Sequence, residues 1–294
     1  MEQEALTLPN TPKGWATHLT KLLDLTGGPG LLRYPVEVAP LAMHYTRQAF
    51  GDEHIARVEA ASIKGFEGSL IPFPDETKRW GILYNPTSNQ GRIRFTIAHE
   101  FGHFLLHRKG GIRTSFECSM RDVAGGGTSV RQQEREADEF AAWLLMPLHD
   151  LRTQIHPRDR PTVDALSAAA NRYGTSLLAT ALRWVCYTEL RAIVVVSRDG
   201  FIDWAASSET ARKTGAFIAA KRVVTEVPSG SAALLDDDLG QARHGIRHGT
   251  DVWFGVASTE MAVRSEAYDL TLSIVLLEDA EPSWHEREQD GDAW

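Results

Sequence analysis

The chain has 294 residues, of which 43% are hydrophobic and 24% charged, which excludes a mainly disordered protein. Its 39 acidic against 31 basic side chains leave a net charge of −8, so no global positive excess is present to hold nucleic acid, and only a local basic patch would serve. Apolar runs such as 193–196 and 272–277 are too short to span a bilayer, and the length suggests two domains or three small modules.

The first ten residues, MEQEALTLPN, lack a basic stretch followed by an apolar one, so no export signal is expected. With only two cysteines, Cys118 and Cys186, a disulfide framework is not expected either, and the expected compartment is the reducing cytoplasm. Residues 1–60 read as helical, broken at Gly27-Gly28-Pro29-Gly30. Residues 65–85 read as short strands, with the polar PDETKR separating GSLIPF from WGILYN. The stretch Gly81-Ile82-Leu83-Tyr84-Asn85 fits either an edge strand that pairs with an extended peptide or an ordinary core strand. Residues 92–107 switch to helical spacing and stop at Gly110-Gly111. A loop rich in Gly and Ser follows, holding Cys118 and Gly125-Gly126-Gly127. A second helix covers about 130–145 and ends before Pro147. Residues 162–187 read as two short helices turning at Gly174-Thr175-Ser176. Beyond Leu190 the texture changes: RAIVVVS, FIDWAA, DVWFGVA and DLTLSIVLLE read as strands, with a helix over about 209–220. From Glu278 onward an acidic tail is expected. The expected organisation is α+β, divided into 1–150, 151–188, 189–280 and a tail at 281–294.

The chemistry sits on the first of the two long helices. His99, Glu100 and His103 form H-E-x-x-H, and histidines four apart share one helix face. Both imidazoles can then reach one Zn²⁺ at about 2.0–2.1 Å. Glu100 lies about 100° around the helix, where it touches a water beside the metal without being a ligand. Ile93, Ile97, Phe101 and Phe104 cluster on the opposite face, so the helix is expected to pack on a core with its histidines in a cleft. The alternative is a pair of hydrogen-bonded core histidines.

A third ligand is needed. His107 is two turns from His99, roughly 12 Å along the axis, and cannot share one ion with both others. It reads as a helix-end histidine near the C-terminal dipole. On the second helix the apolar stripe centres near Ala137, with Phe140, Ala141, Leu144 and Leu145. Glu134 falls about 60° from that centre, Glu136 about 100° away on the other flank, and Glu139 on the solvent side. Glu134 is therefore the carboxylate that the pattern turns inward, and Asp138, one turn along, suits a hydrogen bond to a ligand histidine. Each acid taken singly also fits a solvated helix face. Two histidines and one glutamate leave a fourth position for water, whose proton Glu100 can pass to a leaving amine. The implied reaction is hydrolysis of an amide, most naturally a peptide bond. Tyr84 and Tyr173 are the weak candidates for an oxyanion donor.

RIRFTIAHEFGHFLLHR followed by EREADEFAAWLLMP resembles the ImmA/IrrE metallopeptidases, and FEGSLIPF and WGILYN are similar to their upstream segments. The resemblance is specific over about 55–150 and weaker to about 187. It implies a zincin-like domain with His99, His103 and Glu134 as ligands of one zinc ion per chain and Glu100 as catalytic base. Mn²⁺ or Fe²⁺ also suits such a donor set. It further implies a regulatory protease whose substrate is a helix-turn-helix repressor of stress or mobile-element genes. LSAAANRYGTSLLATALRW is similar to the helix-turn-helix-like segment that follows the protease helices in such members. Its second helix offers only Arg183 to DNA, so partner docking or packing is expected there rather than direct DNA binding. Residues 190–278 have the length and texture of the GAF-like sensor domain of the stress-response members. There, His244, Arg247 and His248 read as an anion site or as a solvated loop. Cys118 reads as a plain thiol, with a redox or metal role as the alternative. A regulator that acts by binding a partner or DNA, with a structural metal site, is the competing function.

Overall fold

A computed structural model describes residues 8–26, 33–62, 65–74, 78–110, 128–220, 222–235 and 239–279. The expected Gly27–30 break, the Gly- and Ser-rich loop with Cys118 and the 281–294 tail lie outside the described residues. Two compact units emerge, one of residues 1–150 with 171–176, the other of 151–170 with 177–294. The fold is mixed α+β, with a zincin-like part and a separate β-rich C-terminal part. Among the described residues no helix is long and apolar enough to cross a membrane.

The first unit opens with helices α1 (Pro12–Thr26) and α2 (Val38–Phe50). Strands β1 (Ile55–Ala60), β2 (Gly68–Pro72) and β3 (Trp80–Tyr84) form a sheet in the order β1-β3-β2. The long helices are α3 (Gln90–His107) and α4 (Thr128–Leu145), followed by α5 (Leu148–Gln154), whose residues from Leu151 belong to the second unit. The expectation that residues 1–60 are all helical fails at β1. That strand pairs in parallel with β3, Val58 facing Ile82, so its partner lies far along the chain and left no local trace. Thr46 anchors it, its hydroxyl accepting from Ile55 N at 2.9 Å.

WGILYN, offered as a possible edge strand, is the central strand β3, bonded on both sides and closed to a further partner. The edge is β2. Asn85 N donates to Glu67 O and Phe73 N to Arg79 O, which puts odd-numbered residues of β2 in the hydrogen-bonded pairs. The backbone groups of Gly68 and Leu70 therefore face away from the sheet. Pro72, with no N–H to leave bare, suits such an edge.

Helix α3 lies across this sheet, with Phe104 edge-on to Trp80 and to Phe50 of α2, and Trp15 of α1 continuing the cluster to Tyr45 and Phe50. Helix α4 packs on both α3 and α1.

The second unit holds α7 (Leu177–Val185), preceded by α6 (Val163–Tyr173), whose last residues belong to the first unit. Its sheet is antiparallel throughout, in the order β5-β4-β8-β7-β6, from β4 (Ala192–Arg198), β5 (Phe201–Ser207), β6 (Ile246–His248), β7 (Ser258–Ser265) and β8 (Leu270–Leu277). The central strands β4 and β8 are buried on both faces, which is why they read as unbroken apolar runs. Two expectations change here. DVWFGVA is a turn region, since Phe254 and Gly255 both take positive φ (54° and 68°), a conformation no strand holds. The helix expected over 209–220 is α8 (Glu209–Lys213) alone. Gly215 (φ 78°) ends it, with Ala216 N donating to Ala211 O and Gly215 N to Arg212 O in a Schellman motif. A short helix, α9 (Leu239–His244), precedes β6.

Candidate metal centre

Helix α3 starts cleanly because Asn89 caps it, its side chain accepting from Arg92 N at 2.9 Å. Ile93, Ile97, Phe101 and Phe104 are all buried, as their spacing predicts. That fixes the rotation of α3 and turns His99 and His103 away from the sheet core. Helix α4 approaches over Gly102, where a Cβ would meet Phe140 Cδ1 at 2.9 Å and Ala137 Cα at 3.3 Å. Ala137, Phe140 and Ala141 are wholly buried in this crossing. A glycine facing Ala137 and the Phe140 ring brings the two helices close enough for acidic side chains to bridge them.

The structure brings His99, His103 and Glu134 together as a group whose donor atoms lie within 4.8 Å of one another. His99 Nε2 and His103 Nε2 are 3.0 Å apart. The Glu134 carboxylate straddles them, Oε2 at 3.3 Å from His99 Nε2 and Oε1 at 3.3 Å from His103 Nε2. Ligands of a tetrahedral zinc at about 2.0–2.1 Å stand about 3.3–3.4 Å from each other, so this donor set fits a single small divalent cation. The Glu134 side chain is 41% exposed, so the triangle stays open to solvent on that side. Asp138 Oδ1 accepts from His99 Nδ1 at 2.9 Å, which leaves Nε2 with its lone pair toward the other donors.

Glu100 stands apart from the triangle and against the sheet edge. It is 5% exposed, takes a hydrogen bond from the backbone of Leu70, and its Oε2 is buried with no partner among the described residues. Gly68 lies beside it and makes room for Thr96, since a Cβ there would come within 2.2 Å of Thr96 Cγ2 while meeting Glu100 Oε1 at 3.4 Å, an ordinary contact. Burial, together with the nearby Glu134 charge, pushes the Glu100 carboxyl up to about 7, against the opposing effect of His99 and the Leu70 hydrogen bond. Burial lowers His99, yet hydrogen bonds to Asp138 and Glu134 overcome it and raise the ring to about 10. Burial also lowers His103, and the hydrogen bonds from His103 and His99 hold Glu134 far below the usual carboxylate range. Carboxylates crowd two imidazoles here, and the pocket is one that calls for positive charge.

Several expectations about neighbours are corrected. His107 ends α3, as expected, but the helix dipole is not its only partner. It is 7% exposed, with Nδ1 at 3.0 Å from His103 Nδ1 and Nε2 at 2.9 Å from Glu136 Oε2. The signal was present, because His107 repeats the four-residue spacing of His99 and His103. Tyr173 is no oxyanion donor: it is fully buried and its hydroxyl donates to Asp150 Oδ2 at 2.5 Å. Tyr84 faces Gly68 across the β2–β3 pair and shares the sheet face that carries Glu100's neighbour. In the second unit His244, Arg247 and His248 form no anion site. His248 is buried against Glu260 at 3.0 Å, Arg247 pairs with Glu278 at 2.8 Å, and His244 is exposed.

Residues 52–185 match the family Peptidase_M78, described as the IrrE N-terminal-like domain. A solved structure described as a Mycobacterium tuberculosis transcriptional regulator has the same fold, with a TM-score of 0.51 at 14% identity, covering 95% of this chain and 80% of that one. No curated protein matches the sequence.

Proposed function

We propose that this chain, whose residues 52–185 match the Peptidase_M78 family, is a zinc-dependent endopeptidase acting on one specific protein. The observation that carries this reading is the convergence of His99, His103 and Glu134 beside a buried Glu100 oxygen that lacks a partner among the described residues. In this reading His99, His103 and Glu134 hold one zinc ion per chain, and Mn²⁺ can replace it. When bound, the cation supplies Lewis acidity toward a water and a carbonyl oxygen. Glu100 takes a proton from the attacking water through its orphaned Oε2 and returns it to the leaving amine. Asp138 keeps His99 in the tautomer that presents Nε2. The outward backbone groups of Gly68 and the Leu70 carbonyl on β2, with the Leu70 N–H already given to Glu100, suit an extended substrate chain laid along the edge next to Glu100.

The substrate proposed is a helix-turn-helix repressor whose cleavage in the cytoplasm releases stress or mobile-element genes. A protein rather than DNA is favoured as the partner because Arg183, the one basic residue of α7, is 6% exposed. The domain scheme proposed is a zincin-like domain to residue 150, helix-turn-helix-like helices to 188 and a GAF-like domain beyond. The competing function is a regulator that binds a partner without cutting it. Incubating a candidate helix-turn-helix repressor with protein and zinc, with and without chelator, separates the two. A single metal-dependent cut lost in Glu100→Gln supports the peptidase. An intact repressor, with the variant still restoring the biological response, overturns it.

A further inference from the structure

We propose that His107 and Glu136 are positioning residues that aim His103 at the cation, so that α4 orients both histidine donors, one directly and one through an imidazole. This assignment rests on the reading that His99, His103 and Glu134 hold a divalent cation. His103 Nε2 faces Glu134 and His99, so a neutral His103 ring that presents Nε2 carries its proton on Nδ1. That proton points at His107 Nδ1, 3.0 Å away, which must then be an acceptor. The His107 proton is consequently on Nε2, where Glu136 Oε2 receives it at 2.9 Å. Gln132 Nε2 donates to the other Glu136 oxygen, Oε1, at 2.7 Å. Every link therefore has one direction, from His103 to His107 to Glu136. The opposite tautomer of His107 would set two N–H groups against each other inside the protein.

Helix geometry explains the extra ring. On α4, Glu134 and Asp138 lie about 40° apart and reach the same flank, whereas Glu136 lies about 200° from Glu134. Across the Gly102 crossing the first flank meets His99 and His103. The second flank meets α3 one turn later, at His107. No α4 carboxylate reaches His103 Nδ1 itself among the described contacts, and His107 bridges the distance. A core histidine with a purely structural role would satisfy its nitrogens without regard to a donor of the metal triangle.

The test uses the full chain and zinc, with affinity measured by competition against a chromophoric chelator. His107→Phe fills the space and ends the relay; Glu136→Ala removes its far end at a partly exposed side chain. Each is expected to weaken zinc binding about 10–100-fold, the range typical of partners behind metal-bound histidines. The double variant is expected to lose no more than the worse single, because both break one chain, whereas adding Asp138→Ala multiplies the loss. Thermal melts in chelator show whether each variant still folds; should His107→Phe fail, Glu136→Ala carries the comparison. Nitrogen-15 spectra of labelled histidines in the zinc-loaded protein should show His107 neutral and protonated on Nε2. Unchanged affinity in a folded Glu136→Ala, or a His107 ring protonated on Nδ1, overturns the relay while leaving the metal site standing. A wild-type chain that takes up no zinc overturns the metal site and the relay with it.

Discussion

Two buried carboxylates, one in each unit, invite comparison. Glu260 on β7 is fully buried and saturated: it accepts from Ser231 Oγ, Ala232 N, His248 Nε2 and Trp253 Nε1 at 2.8–3.0 Å. Glu100 on α3 is nearly as buried, yet one oxygen has no partner among the described residues and its neighbours include further acids. Both contain a carboxylate beside histidine, so composition does not separate them. Saturation does. A completed network locks a fold, whereas an incomplete one keeps capacity for a water, a cation or a substrate.

The comparison can be broken by substitution. If Glu100 moves protons as proposed rather than holding structure, Glu100→Gln should lower cleavage of the proposed substrate by about 10²–10⁴-fold while zinc affinity and melting temperature stay near wild type. Cleavage assays beside a chelator titration check this, and metal removal should abolish turnover in wild type. Glu260→Ala should do the reverse. Stranding His248, Trp253 and Ser231 costs about 3–5 kcal/mol, read as a lower denaturant midpoint, with zinc affinity retained. If Glu260→Ala removed zinc binding instead, the contrast between the two sites would be lost.

Smaller effects sharpen the same contrast. Gly102→Ala places a methyl against Phe140 and Ala137, and about 1–3 kcal/mol of overpacking should accompany weaker zinc binding as α4 is pushed from α3. Equal zinc affinity in that variant would mean the crossing tolerates displacement. Asp150 is a second saturated carboxylate, bound by Arg172 through two hydrogen bonds and by Tyr173. Burial raises its pKa, but the hydrogen bonds from Arg172 and Tyr173 prevail and hold it below the usual 3.8. A folded-state pKa below the unfolded one stabilises the protein at pH above the unfolded value. That contribution fades as pH falls from about 4 through the folded value. Melts between pH 6 and 3 should show a shallower acid decline in Asp150→Asn than in wild type, from a lower starting stability.

Legibility differed by element for physical reasons. The α3 and α4 faces were readable because burial repeats with the helix period, so Ile93, Ile97, Phe101 and Phe104 sorted inward and Glu134 toward the histidines. Strands β4 and β8 announced themselves by continuous apolar runs. β1 did not, since six residues of mixed burial gain strand structure from a partner far along the chain. DVWFGVA has strand-like residues but two consecutive positive φ values, and Trp253 turns inward because Glu260 needs its N–H. His107 ends its helix as read, but its bonds to His103 and Glu136 were not legible, because a single-helix argument sees the dipole and not the carboxylate of another helix.

The order of residues along the chain determined the H-E-x-x-H face, the inward flank of α4 and the α+β character, because each follows from a local periodicity. Only tertiary structure decided which strands are edges, which histidine is a bridge between helices, and which buried carboxylate is saturated. Those properties belong to hydrogen bonds between segments far apart in sequence, and a partner's absence is visible only when every neighbour has its place.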